Sequence, residues 1–190
     1  MSGMCFRVEG SLELQMRKVE LCSQLENARN NFVLGLAANS LFVSQDALPI
    51  LKRSHAQFGA FTVEFAQVAE LLRERGDREI ALKEFLKVQM RALVKEIFEV
   101  IKEYCVATGQ AEQFKSLPFY EFSRIIRNCL SHNFKFTFYK NDKKLLPVKW
   151  RSKEINLGME GAELELGFFG LPEAWELFLD FQNFVEERLT

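Results

Sequence analysis

Apolar residues recur at steps of three and four through the first two thirds of this 190-residue chain and at steps of two in part of the last third. The first period marks a helix buried along one face, the second a half-buried strand. From Ser11 to about Val43, the positions Leu12, Met16, Val19, Leu21, Leu25, Phe32, Leu36 and Leu41 predict one long helix, or two short ones broken at Asn30-Asn31 or Gly35. Asp46 then offers an N-cap with Pro49 in the first turn, and Phe58, Phe61, Phe65, Val68 and Leu72 continue as a helical stripe. Beyond Gly76-Asp77, the apolar positions from Leu82 to Tyr104 predict a helix of about thirty residues that ends before Gly109. Those last two elements are expected to be long antiparallel neighbours. Ser116 caps the next helix, with Pro118 in its first turn and Phe119, Phe122, Ile125, Ile126 and Leu130 on its apolar face.

After that helix the period changes. Phe134, Phe136 and Phe138 alternate with polar residues, Val148, Trp150 and Ile155 form a second run, and Leu164, Leu166 and Phe168 a third. Lys140-Asn141-Asp142-Lys143 and Gly158-Met159-Glu160-Gly161 read as the turns between them. Pro172 opens a last helix through Trp175, Phe178, Leu179, Phe181 and Val185. The fold class that follows is mainly α: an antiparallel helical bundle with a small β-hairpin or three-stranded insertion near residues 134–168 and a C-terminal helix, all in one domain spanning 1–190.

Composition narrows the function classes. A hydrophobic content of 48% with 27% charged residues fits a soluble globular chain, and the formal charge of -1 gives no global attraction to a polyanion. Any basic surface must be local. Between Arg124 and Lys153 there are nine basic residues against Asp142 alone, and from Glu154 onward nine acidic residues against Arg188 alone. The stripe holding Arg124, Lys135, Lys149 and Arg151 is a candidate nucleic-acid contact, since each phosphate it neutralised would add salt-sensitive affinity. The competing reading, which we rank first, is that the two charged segments pair with each other or face solvent. Met1 to Val8 has no cationic stretch followed by an apolar core, and no segment reaches 18 uninterrupted apolar residues, so a cytoplasmic chain with no membrane partner is expected. The four cysteines lack C-x-x-C spacing, which indicates neither a disulfide framework nor a zinc site. No nucleophile elbow, Gly-rich phosphate loop or carboxylate cluster of metal-ligand spacing occurs. The nineteen phenylalanines read as core, because buried rings supply the largest apolar area per residue. His55 reads as a surface residue.

One segment carries candidate chemistry: Arg127-Asn128-Cys129-Leu130-Ser131-His132, at the end of the helix that Ser116 is expected to cap. Only two histidines are present, and imidazole is the side chain that changes protonation nearest neutral pH. Arg-Asn followed by His at this spacing arises by chance in under about one in a hundred such chains. Five helical steps turn through about 500°, which leaves Arg127 and His132 about 140° apart in projection. For both to address one phosphate, the helix must loosen near Ser131 or His132.

The run F-S-R-I-I-R-N-C-L-S-H-N resembles the signature of the HEPN superfamily, the higher eukaryotes and prokaryotes nucleotide-binding domains: an Arg, commonly followed by Asn, Asp or His, and a His four to six residues after the Arg. Long paired helices followed by a motif-bearing helix, over about Leu12 to Asn133, are similar to that superfamily's arrangement. The chain departs from many ribonuclease members in having Phe134 where they carry Tyr, and in the length of its β-rich insertion. The resemblance implies a metal-independent endoribonuclease, of a toxin–antitoxin or defence system, or else a catalytically silent module that binds a nucleotide or a partner protein. It implies Arg127 and His132 as catalytic and Asn128 as supporting, with no cofactor and no metal. It implies a homodimer, RNA as ligand, and a cognate antitoxin or nucleotidyltransferase-like protein as partner. RNA cleavage by its own 2'-hydroxyl needs a base, an acid and positive charge on the transition state. His132 suits one proton transfer and the Arg127 fork suits two phosphate oxygens. One His per chain supplies one such group, so a second copy would complete the site. Against these stands a purely structural role, in which both cations cap the negative end of their helix. A third reading is a partner protein whose dimer interface uses exposed phenylalanines.

Overall fold

Proline-free runs with apolar residues at three- and four-residue steps form the two longest helices, α1 (Cys5–Val43) and α4 (Arg75–Ala107), in a computed structural model that describes residues 5–44 and 46–190, with side chains from residue 17 onward. The expectations for Met1–Met4 and for the side chains of Leu12 and Met16 lie outside the described residues. Neither Asn30-Asn31 nor Gly35 interrupts α1. The end of α4 follows from one glycine. Gly109 sits at φ +72°, its N–H donates to the Val106 carbonyl at 3.3 Å, and the Gln110 N–H reaches back to the Cys105 carbonyl at 2.7 Å, which is the Schellman stop.

The chain divides into two compact units, one formed by the residues up to Arg29 with Met90–Thr190, the other by Asn30–Gln89. In the second unit, α2 (Ala47–Arg53) begins after Asp46 as expected, but it ends after seven residues. The phenylalanine stripe is not a helix: β1 (His55–Phe58) and β2 (Phe61–Glu64) form an antiparallel hairpin, followed by the short α3 (Ala66–Leu71). No long helix therefore pairs with α4 from this segment. A two-residue turn puts its flanking residues three apart, so Phe58 opposite Phe61 imitates a helical step. Gly59, at φ +58°, takes the first central position of that turn, where a II′-type hairpin needs glycine. Gln57 faces Thr62, whose Oγ1 donates to Gln57 Oε1 at 2.6 Å, and the Phe65 N–H extends the ladder to the Ser54 carbonyl at 3.1 Å.

In the first unit the part of α4 from Met90 onward is joined by α5 (Ala111–Lys115), α6 (Tyr120–Ser131), α7 (Asp142–Leu145), β3 (Val148–Trp150), β4 (Lys153–Ile155) and α8 (Leu171–Arg188). Ser116 closes α5 instead of capping α6; its hydroxyl donates to the Gln113 carbonyl at 2.8 Å. The core is aromatic. Phe98 of α4, Phe114 of α5, Tyr120 of α6 and Phe181 of α8 meet with centroids 5.1–6.1 Å apart, and each such pair adds about 1 kcal/mol beyond area burial. After α6, Phe134, Phe136 and Phe138 are buried while Lys135 and Thr137 are exposed, so the predicted alternation is present. Its backbone pairing is slight: a single bridge joins Lys135 to Glu163, and Phe136 exchanges bonds with Gly161 and Ala162. The second run divides into β3 and β4, with Val148 opposite Ile155, so the insertion holds one hairpin and not three strands. α8 opens where Pro172 places it, and the Gly170 N–H donates to Glu173 Oε2 at 2.9 Å. The chain is thus mainly helical with two small antiparallel hairpins among its described residues, and no single described helix is long and apolar enough to cross a membrane.

Candidate functional site

The motif lies on the last turn of α6, and the burial of that helix decides which way each member faces. Phe122, Ile125, Ile126, Cys129 and Leu130 are buried, leaving Arg127 and Asn128 at the margin of the apolar face and His132 beyond it. Regular helix stops at Ser131. His132 is the C-cap at φ -105°, ψ 52°, and its N–H is shared between the carbonyls of Asn128 (3.0 Å) and Cys129 (3.1 Å). Two left-handed residues follow, Asn133 at φ 55° and Phe134 at φ 60°. Asn tolerates that conformation, whereas for Phe it costs about 1–2 kcal/mol. The turn is held by the Lys135 N–H on the His132 carbonyl at 3.1 Å and by the buried Phe134 ring. Backbone strain of this kind clusters at functional sites.

The structure brings Arg127 and Asn128 together and leaves His132 apart. Arg127 Nη1 donates to Asn128 Oδ1 at 2.6 Å, Nη2 donates to the Glu99 carboxylate of α4, and the guanidinium lies over the Phe98 ring at 5.2 Å. Its Nε is buried without a partner, at a cost of about 1–3 kcal/mol. The side chain of His132 is exposed and hydrogen-bonds to none of the described residues. Ser131 turns its hydroxyl back to the Arg127 carbonyl at 2.9 Å. Cys129 lies inside the motif, but burial pushes its thiol up to about 12, so it is no nucleophile near neutral pH.

Most of the basic stripe is engaged by carboxylates. Arg124 binds Glu121 at 2.7 Å and the buried Asp142 at 2.5 Å, Lys149 binds Glu154 at 3.0 Å, and Arg151 binds Glu176 at 3.2 Å and Asp180 at 3.0 Å. Lys143 reaches Glu160 and Lys153 reaches Glu173, so the basic segment pairs with the acidic one that follows it, as the first-ranked reading of the charge runs has it. Lys135 is exposed on the turn that carries His132. Trp150 adds an Nε1 donation to Asp180 at 2.7 Å, and these contacts fasten the β3–β4 hairpin to α8.

Two residues beside the motif carried no signal in the sequence. Glu99 is 28 positions from Arg127, and Arg91 of α4, whose guanidinium lies 4.9 Å from the centroid of the Phe134 ring, is further still. Both flank the apolar positions of α4, so periodicity marks that face without saying which helix covers it. Among the described residues no group of three or more His, Cys, Asp or Glu side chains converges as a metal site does. Surface hollows of about 250, 230 and 320 Å³ in this unit are lined by other residues than the motif. The chain matches no family model, no curated protein and no solved structure.

Proposed function

We propose that this chain is a HEPN-like, metal-independent endoribonuclease that works as a homodimer, with His132 as the proton carrier, Arg127 as the phosphate-binding cation and Asn128 as its support. The observation that carries the reading is the exposed imidazole at the C-cap of α6, one turn beyond an arginine already oriented by Asn128 and Phe98. In the reaction, the RNA 2'-oxygen attacks the neighbouring phosphorus as its proton passes to a neutral His132. The bond to the 5'-oxygen breaks, that oxygen takes a proton from the partner's His132 in its charged form, and the products are a 2',3'-cyclic phosphate and a free 5'-hydroxyl. Arg127 offsets charge on the transition state. Purified protein incubated with RNA in EDTA tests this. Cyclic ends and a loss of cutting of about 10²–10⁴-fold in His132→Ala are expected, and equal cutting by that variant rules the reading out.

One observation favours a second reading, a non-catalytic helical module for a nucleotide or partner protein: the Arg127 fork is occupied by Glu99 and Asn128 within its own chain. In that case no RNA is cut and Arg127→Ala acts on stability alone.

A further inference from the structure

The cations expected to meet a phosphate near His132 are mostly committed elsewhere: Arg127 to Glu99, Arg124 to Asp142, Lys149 to Glu154 and Arg151 to Asp180. Arg91 in the same unit is in none of these pairs. Arg91 of α4 makes no hydrogen bond or ion pair with any described residue, and its Nε is sealed from solvent without a partner. Its guanidinium lies over the Phe134 ring with Cζ 4.9 Å from the centroid, and Phe134 is the left-handed residue two positions after His132. A guanidinium held over a ring keeps its Nη donors for an oxyanion. Seven residues separate Arg91 from Phe98, close to two full turns, so Arg91 and the Phe98 that backs Arg127 lie on one face of α4. Lys95, one turn along that face, is exposed and likewise unpaired among the described residues.

We propose that Arg91, held against Phe134 beside the His132 turn and assisted by Lys95, binds a backbone phosphodiester of single-stranded RNA. The proposal rests on the reading of the motif as an RNA site, and it assigns the ground-state phosphate grip to a residue outside the motif. The Nη donors of Arg91 are what the phosphate oxygens would accept from, since no described residue pairs with them.

The test uses the full chain and a 2'-O-methyl oligoribonucleotide, which binds but cannot be cut. Arg91→Gln is expected to weaken binding about tenfold and to make the fall of log K with log salt shallower by about 0.7, the loss of one single-strand phosphate contact. Arg91→Lys restores the slope, since the charge is kept, while affinity stays below wild type for want of the stacked fork. Urea midpoints of both variants show whether the fold is intact, and the Lys variant carries the test if Gln loosens the turn. Wild-type binding and slope in Arg91→Gln overturn the proposal even where natural RNA is cut, in which case the nuclease reading stands alone. Binding that depends on Arg91 without any cutting upholds the phosphate site and removes the nuclease reading; no binding by the wild type overturns the phosphate site, and the cutting of natural RNA then decides the nuclease reading by itself.

Discussion

A carboxylate with 3% of its side chain exposed must find its partners inside the fold, and Asp142 has two: Arg124 Nη2 at 2.5 Å and the Tyr139 N–H at 2.8 Å. The pair ties the segment after α6 back to α6, one turn before the motif. Because the Arg124 side chain is 22% exposed, part of the interaction is screened. Asp142→Ala is expected to cost about 2–3 kcal/mol in urea unfolding, less than the full value of a sealed pair. A double-mutant cycle with Arg124→Ala reads the coupling directly; independence of the two would show that the pair adds nothing to stability. Glu173 gives the pH dependence its sign. Burial pushes its carboxyl up, but hydrogen bonds from Lys153 and from the Gly170 N–H outweigh that and hold it below its ordinary value. A depressed carboxyl adds stability above its unfolded value and loses it as pH falls through the folded one, so wild type and Glu173→Gln should differ near pH 7 and converge in acid. A constant difference across that range would assign the effect to the N-terminal turn of α8 rather than to charge.

Elements whose ends are dictated locally could be read from the chain, and those decided by partners could not. The stop of α4 at Gly109, the start of α8 at Pro172 and the end of α6 at His132 each follow from one or two residues and came out where expected. The hairpin at 55–64 did not, because a tight turn and a helical stripe give the same spacing of Phe58 and Phe61, and only the glycine between them separates the two. Alternation at Phe134, Phe136 and Phe138 was legible as burial, while the single bridge to Glu163 depends on where a segment almost thirty residues away comes to lie. At the site, Arg127, Asn128 and His132 were visible as a motif, whereas Glu99 needed the contact between α4 and α6. The hairpin makes its own prediction. A β-branched residue at φ +58° is strained by about 1–2 kcal/mol, so Gly59→Val should lower the stability of the Asn30–Gln89 unit by at least that, while Gly59→Asn should cost much less. Equal costs for the two would mean that the turn is not what fixes the register.

At the scale of the whole chain, apolar surface is unevenly spent. The unit containing the motif buries its rings, with Phe98, Phe114, Phe122, Phe136, Phe169, Phe178 and Phe181 all fully buried. The Asn30–Gln89 unit instead exposes Leu34, Leu41, Ile50, Phe58, Phe61 and Ile80, each more than half accessible, and both strands of its hairpin are without a buried residue. Local stability scales with buried contacts, and a lone two-stranded hairpin is marginal in water. Amide exchange should therefore divide the chain. Backbone N–H groups of residues 93–105 in α4, where Leu93, Val94, Ile97 and Ile101 are sealed, should open only with global unfolding, while those of 55–64 exchange at least about a hundredfold faster. Dilution sharpens the test, because a surface covered by another copy is uncovered as the concentration falls. Fast exchange at every concentration leaves the hairpin an exposed appendage of its own unit. Slow exchange that quickens on dilution would show that its phenylalanines are held in a self-association.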